Sequence, residues 1–135
     1  MHAQAIILTH PVLQDNANAA LIRCIEECYD CAQACTTCAD ACLAEHTVQQ
    51  LTQCIRLNHD CADICTATGA LASRRTSANE RILTQMLQVC ANICHICGNE
   101  CEKHADQHEH CRVCAEECRR CEQACHDAIK GVAAA

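Results

Sequence analysis

Small and apolar residues recur at steps of three and four along most of the chain, and cysteine fills many of those positions. The densest segment, CIEECYDCAQACTTCADAC, covers residues 24–42. Side chains at positions i, i+3 and i+4 lie on one face of an α-helix. The segment is therefore predicted to be an amphipathic helix with its thiols on the buried face. Charged residues such as Arg23 and Glu26 fall on the opposite, solvated face.

The same rhythm occurs four times, which predicts four helices. The rows contain six, three, four and five cysteines, and Asn58 stands at the position in phase where the second row lacks one. The first row is Cys24, Cys28, Cys31, Cys35, Cys38 and Cys42; the second is Cys54, Cys61 and Cys65; the third is Cys90, Cys94, Cys97 and Cys101; the fourth is Cys111, Cys114, Cys118, Cys121 and Cys125.

Polar residues between the rows suggest where each helix begins and ends. Thr47, Ser77 and Asp106 are each followed three residues later by Gln or Glu, the pattern of a capping box. Gly131 is a suitable C-terminal cap for the last helix. The predicted helices cover residues 16–45, 48–72, 78–104 and 107–130.

Short connections between helices favour antiparallel neighbours. The sequence therefore predicts an all-α protein, an antiparallel up-down-up-down four-helix bundle with a cysteine-lined core. The expected organisation is a short N-terminal segment at 1–15, which forms its own turn of helix before Pro11, a bundle at 16–130, and a C-terminal tail at 131–135.

Composition shows why cysteine matters to the core. The 135 residues fit one domain, but they include no Phe, no Trp and a single Tyr, Tyr29. Large aromatic side chains usually dominate protein cores. The 18 cysteines and the alanines must fill this core instead.

The first residues, MHAQAIILTHPVLQDN, lack the apolar stretch of about 7 to 15 residues that a secretory signal requires. We therefore expect a cytosolic protein, in which thiols stay reduced and dense cysteine indicates metal binding or catalysis rather than disulfides. No apolar run approaches the roughly 20 residues of a membrane span. The net charge of −7 provides no basic face for nucleic acid.

The spacing of the thiols favours a soft metal ion. Helix neighbours at i and i+4 have Cβ atoms about 5 to 6 Å apart, too far for the roughly 3.5 to 4.5 Å of a disulfide. Thiolates select Cu(I), zinc and iron–sulfur clusters. Structural zinc commonly uses C-x2-C pairs separated by a loop, whereas here such pairs alternate with C-x3-C inside helices. Cu(I) accepts two or three sulfurs, so a continuous row of thiolates suits it.

Charge predicts the capacity. Unpaired buried charge is expensive, so one monovalent ion per thiolate, or on the order of 18 Cu(I) per chain, gives a neutral core. Two alternatives stay open: a zinc or general metal buffer of the metallothionein type, and a thiol–disulfide redox protein. No catalytic constellation stands out, so an enzyme is not expected.

Rows of core cysteines on all four predicted helices resemble the bacterial copper storage proteins, four-helix bundles that hold many Cu(I) ions. The resemblance covers residues 16 to 130, and the absence of a signal sequence is similar to the cytosolic members. It implies a homotetramer that stores copper or keeps it harmless, with all 18 cysteines as ligands and Asn58 as a hydrogen-bonding or weak oxygen ligand. The sequence identifies no copper donor or acceptor.

The order of the helices predicts that histidines gather at one end of the bundle. His46, His104, His108 and His110 fall there, and His104 continues the third row in phase. Neutral imidazoles are ligands of intermediate strength, so we expect copper to enter and leave at this mouth, with His104 the leading candidate for an entry ligand. The opposite end looks plugged by Leu21, Thr68, Ala72, Leu83, Leu87, Ala128 and Ile129, with Met86 nearby. The remaining histidines, His2, His10, His59, His95 and His126, are predicted at the surface.

Overall fold

The computed structural model describes residues 1–77 and 79–134, the last two of them in backbone only. These residues form a short helix and four long ones, joined by turns, with no β-strand among them. The helices are α1 (Ala3–Thr9), α2 (Ala19–Leu43), α3 (Thr52–Ser73), α4 (Glu80–Glu102) and α5 (Glu109–Ala134), and a 3₁₀ helix at Val48–Gln50 precedes α3.

Helices α2 to α5 pack as an antiparallel bundle. Helix α2 contacts α3 and α5, and α4 contacts the same two helices from the opposite corner. The predicted all-α, up-down-up-down four-helix bundle is therefore confirmed. The short helix α1 packs beside α2, where its Ile7 is buried. Among the described residues, no helix has the length and apolar character needed to cross a membrane.

The predicted N-terminal caps are wrong, because none of the three residues directly precedes a long helix. Thr47 precedes only the 3₁₀ helix and makes no capping hydrogen bond to its backbone, and α4 and α5 begin three residues after Ser77 and Asp106. Capping depends on the direction in which the chain enters a helix, which the pattern Ser/Thr-x-x-Glu does not determine. The predicted start of the third helix at Ala78 lies outside the described residues.

Gly131 does not end the last helix, because α5 continues to Ala134 and none of the described glycines has a positive φ. Its small size is used for close packing instead. A Cβ atom on Gly131 would lie 3.1 Å from Nδ2 of Asn18. The Asn18 side chain caps α2 by accepting a hydrogen bond from Leu21 N at 3.1 Å. The predicted tail at 131–135 is thus helical through 134, and residue 135 lies outside the described residues.

The core consists mainly of thiols along the bundle axis. All 18 cysteine side chains are buried, each with an exposed fraction of 2% or less. Ile22 and Ile25 of α2 are also buried, with exposed fractions of 8% and 1%. Ile22 lines a cavity together with Ile7 of α1. Val113 of α5 is exposed.

Candidate metal centre

The thiols approach one another closely both along each helix and between helices. Within rows, the Sγ atoms of Cys24 and Cys28 are 3.9 Å apart. Between rows, Cys54 and Cys101 approach to 3.6 Å. All 18 cysteines are free thiols in the structure. Since a metal–sulfur bond of about 2.3 Å places two bound sulfurs roughly 4 Å apart, these separations suit bridging by metal ions without movement of the helices.

Several groups of thiols converge within 4.8 Å of one another. Three groups of four occupy the middle of the bundle, and two of their members are shared: Cys121 belongs to the first and second groups, and Cys31 to the second and third. Shared thiols make the groups one continuous ladder rather than separate pockets. The three groups are Cys28, Cys90, Cys121 and Cys125; Cys31, Cys65, Cys94 and Cys121; and Cys31, Cys35, Cys61 and Cys118.

Two further groups lie toward the histidine end. One contains Cys38, Cys101 and Cys114, and the other combines Cys38, Cys42 and Cys111 with His110. Cys38 belongs to both, so the ladder continues toward the mouth. The sequence pattern predicted that the thiols face inward, but it did not predict which helices share each group.

Burial raises the thiol pKa values, whereas a hydrogen bond between two thiols lowers the pKa of one partner and raises that of the other. Burial raises the pKa of Cys42 to about 12, because the uncharged thiol is favoured where water is excluded. Hydrogen bonds from Cys125 and Cys28 lower the pKa of Cys24 to about 5. A metal ion entering near Cys42 must therefore displace a firmly held proton.

Asn58 completes the second row as a polar group inside the thiol core. Its side chain is fully buried. Its Oδ1 accepts S–H hydrogen bonds from Cys97 at 3.1 Å and Cys101 at 3.4 Å, and from Cys114 at 3.5 Å. Its Nδ2 lies 3.9 Å from Cys54 Sγ. The amide thus contacts four thiols: two in the third row, one in the fourth and one in its own row.

The predicted mouth brings three of its four histidines close to carboxylates. His104 Nε2 lies 3.0 Å from Glu100 Oε2. His108 Nδ1 and His110 Nε2 lie 3.0 Å and 2.8 Å from Oε2 of Glu45. The mouth is therefore a set of imidazoles held by acidic side chains.

The fourth predicted histidine, His46, is exposed, and none of the described polar contacts joins it to the others. His110 is the mouth histidine with described thiol contacts: its Nδ1 lies 3.5 Å from Cys38 Sγ and 3.6 Å from Cys111 Sγ. The structure thus favours His110 over His104 as the histidine nearest the thiol ladder.

Sequence reasoning missed Glu45. The hydrogen bond from His110 and the nearby His108 imidazole hold the pKa of this carboxyl below its ordinary value. Glu45 follows Cys42 by three residues, so it continues the first thiol row in phase. Extending the row beyond its last cysteine could have identified it.

The opposite end of the bundle is closed by apolar side chains. Leu83 and Leu87 are almost fully buried, and Ala72, Ala128 and Thr68 are completely so. Leu21 is buried as well, while Met86 and Ile129 are partly exposed. This end offers no thiol or imidazole ligand among these residues. His2, His59, His95 and His126 are exposed, as expected, and His10 is partly exposed.

Glu117 was also missed by sequence reasoning, because it adjoins the inward seam of α5 without belonging to it. Its side chain is buried, with Oε1 3.0 Å from Nη2 of Arg120. Its Oε2 has no hydrogen-bond partner within the described structure. Burial and the neighbouring Glu27 raise its pKa to about 7.

Comparison with known proteins agrees with a thiol core that binds metal ions. The sequence model of the copper storage protein family, Csp, matches residues 17–130. No curated protein matches the chain significantly.

Three solved structures are similar to it. The copper storage protein Ccsp from Streptomyces lividans, loaded with 10 copper equivalents, is 53% identical over 96% of this chain and 98% of its own, with a TM-score of 0.92. A cytosolic copper storage protein from the same organism, with five coppers, is 59% identical over 82% and 92%, with a TM-score of 0.81. Apo-Csp3, copper storage protein 3 from Bacillus subtilis, is 36% identical over 79% and 95%, with a TM-score of 0.66. Because the family model covers most of the sequence and these relatives share its bundle, the chain belongs to the copper storage protein family.

Proposed function

We propose that this protein stores Cu(I) in the cytosol, with its 18 cysteines as ligands and on the order of 18 ions per chain. Residues 16–130 form the storage unit. The observation that carries the proposal is the sharing of Cys31 and Cys121 between neighbouring groups of thiols. A thiol that serves two groups suits bridging between successive univalent ions. Storage rather than catalysis fits a core in which no single thiol is set apart.

The sharing of thiols also supports Cu(I) over zinc. Four thiols within 4.8 Å could bind a tetrahedral zinc ion. Two such sites that shared a cysteine would keep excess negative charge in a core with little water, since each divalent ion neutralises two thiolates and a four-thiolate site holds more. Univalent copper at one ion per thiolate leaves no excess charge, which favours it inside the bundle.

Anaerobic titration of the reduced, metal-free protein with Cu(I), followed by metal analysis of the isolated protein, tests this function. Storage predicts saturation near one copper per thiol. A zinc buffer predicts about half that amount or less, bound as zinc in preference to copper. A redox protein predicts little bound metal and rapid formation of disulfides. Either of the last two results contradicts the proposal.

We further propose that copper passes through the histidine mouth, where His110 contacts two thiols, His108 stacks on His110, and His104 contacts Glu100. His46 and Asn58 are accessory candidates. Replacement of His104, His108 and His110 by Ala should slow copper uptake in stopped-flow measurements while the final capacity stays nearly the same, since the thiol ladder is untouched. The exposed His59→Ala is the matched control. Equal uptake rates in the triple variant and the control contradict a role for the mouth.

We also propose a homotetramer, as the resemblance implies. Helix α4 supports a subunit contact, since it exposes Ile82, Val89 and Ile96 at steps of seven residues, which places them on one face. Sedimentation equilibrium measures the assembly, and a monomer at micromolar concentration contradicts it. The copper donor and acceptor are not identified by any feature of the chain.

A further inference from the structure

We infer that Glu45 is the positioning residue that orients the imidazole of His110 as a ligand at the mouth of the thiol ladder. The inference rests on the proposed function, because it concerns the route by which copper reaches the core. It is drawn from four polar contacts and one ring stack, which join α2 and the turn that follows it to residues 108–110 at the start of α5.

The first two contacts determine which nitrogen of His110 faces the thiols. Oε2 of Glu45 lies 2.8 Å from Nε2 of His110. A carboxylate accepts hydrogen bonds, so this contact requires the proton of the neutral ring on Nε2. The lone pair on Nδ1 then points toward Cys38 Sγ, 3.5 Å away. An imidazole whose far nitrogen donates to a carboxylate is a more basic metal ligand with a fixed orientation.

The other two contacts restrict the ring from its outer side. Glu45 Oε2 also lies 3.0 Å from Nδ1 of His108. Nε2 of His108 in turn lies 3.3 Å from Oγ1 of Thr47. The rings of His108 and His110 stack, with centroids 5.5 Å apart and planes 19° from parallel. Rotation of the His110 ring would break its bond to Glu45 and disturb this stack.

Glu45 therefore acts through His110 and does not itself meet the thiols in any described contact. Removal of such an outer-shell partner typically costs 10- to 100-fold in metal affinity. We expect about a tenfold loss for copper bound at Cys38, His110 and Cys111 in Glu45→Ala. The total capacity should not change, because the thiols remain.

The experiment measures transfer of the first equivalent of Cu(I) from a chromophoric chelator to the reduced full-length protein, in both rate and equilibrium. Glu45→Ala should be about tenfold impaired, and Glu45→Asp should recover part of the loss. The matched control is Glu109→Ala, which removes the same charge next to His110 from an exposed side chain. It should behave as wild type.

A double-mutant cycle separates positioning from a general structural role. In a His110→Ala background, Glu45→Ala should have no further effect on copper transfer. Long-range ¹H–¹⁵N NMR of the metal-free protein should show the His110 proton on Nε2 in wild type, and a mixture of tautomers or exchange broadening in Glu45→Ala. Glu45→Leu, which keeps a similar size but has no acceptor oxygen, replaces Glu45→Ala if the latter fails to fold.

Three results would overturn the inference: wild-type transfer in Glu45→Ala, equal losses in Glu45→Ala and Glu109→Ala, or additive losses in the double variant. If His110→Ala itself transfers copper normally, the proposed mouth is wrong. If His110→Ala is impaired and Glu45→Ala is not, the mouth stands and only the role of Glu45 is wrong.

Discussion

Loading of the core should release close to one proton per copper ion at neutral pH, because most of the 18 buried cysteines enter the reaction as uncharged thiols. The total is at most 18 protons per chain, since a cysteine with a lowered pKa, such as Cys24, has already lost its proton. Burial keeps thiols such as Cys42, with its pKa of about 12, in the uncharged form before metal arrives. Each univalent ion then replaces one proton, and the charge of the interior does not change. Binding should also weaken as the pH falls, since protons compete with copper.

An arrangement without shared thiols gives a different ratio of released protons to bound copper. Isolated two-coordinate sites would use two thiolates per copper, saturate near nine ions and release two protons for each. They would also leave about nine net negative charges in the interior. The effective cost of burying an ion is several kcal/mol, so nine would cost tens of kcal/mol, more than the 5 to 15 kcal/mol by which domains are stable. Bridging of two ions by each shared thiol, as proposed for Cys31 and Cys121, would remove this cost.

The assay is an anaerobic pH-stat titration with Cu(I), in which released protons and bound metal are counted together. Protein with its thiols blocked by alkylation serves as the control and should release no protons. A ratio near two protons per copper with saturation near half of the thiols would refute the reasoning from charge neutrality, whatever the affinity.

Two further variants test the core from within. Asn58→Cys adds a thiol in phase on α3, among Cys97, Cys101 and Cys114. The copper capacity should rise by about one ion per chain in metal analysis. An unchanged capacity would show that the ladder does not continue through this position. Glu117→Met should stabilise the metal-free protein at pH 8 by about 1 kcal/mol in urea unfolding. The raised pKa of Glu117, about 7, means that its carboxyl is protonated in the fold near pH 5 and that stability is lost as the pH rises toward 8. The gain should therefore shrink near pH 5, and a gain independent of pH would contradict this origin.

The periodicity of the sequence was sufficient to predict the bundle and the inward direction of its thiols. Steps of three and four place these side chains on one face of a helix. Since the opposite face is charged, the face with the thiols is the one that packs inward. Asn58 was identified by the same reasoning, because it stands in phase with Cys54 and Cys61. These inferences depend on one helix at a time, which is why they could be made without coordinates.

Features that depend on two elements at once could not be predicted in this way. The prediction favoured His104 as the entry ligand, but its ring contacts Glu100. The histidine that reaches the thiols is His110, whose position depends on the turn between α4 and α5. Ile22 lines a cavity together with Ile7 of the N-terminal helix, whose position the steps of three and four do not predict. Gly131 packs against Asn18 from the far end of the chain.

Because the shared thiols form one continuous ladder, the number of metal ligands depends on the length of the bundle. Each row gains a thiol about every three and a half residues, so lengthening all four helices by about seven residues would add roughly eight thiols. The cross-section of the bundle would not change, and neither would the contacts between adjacent helices. A protein with this architecture can therefore evolve a larger metal capacity by lengthening its helices along the bundle axis.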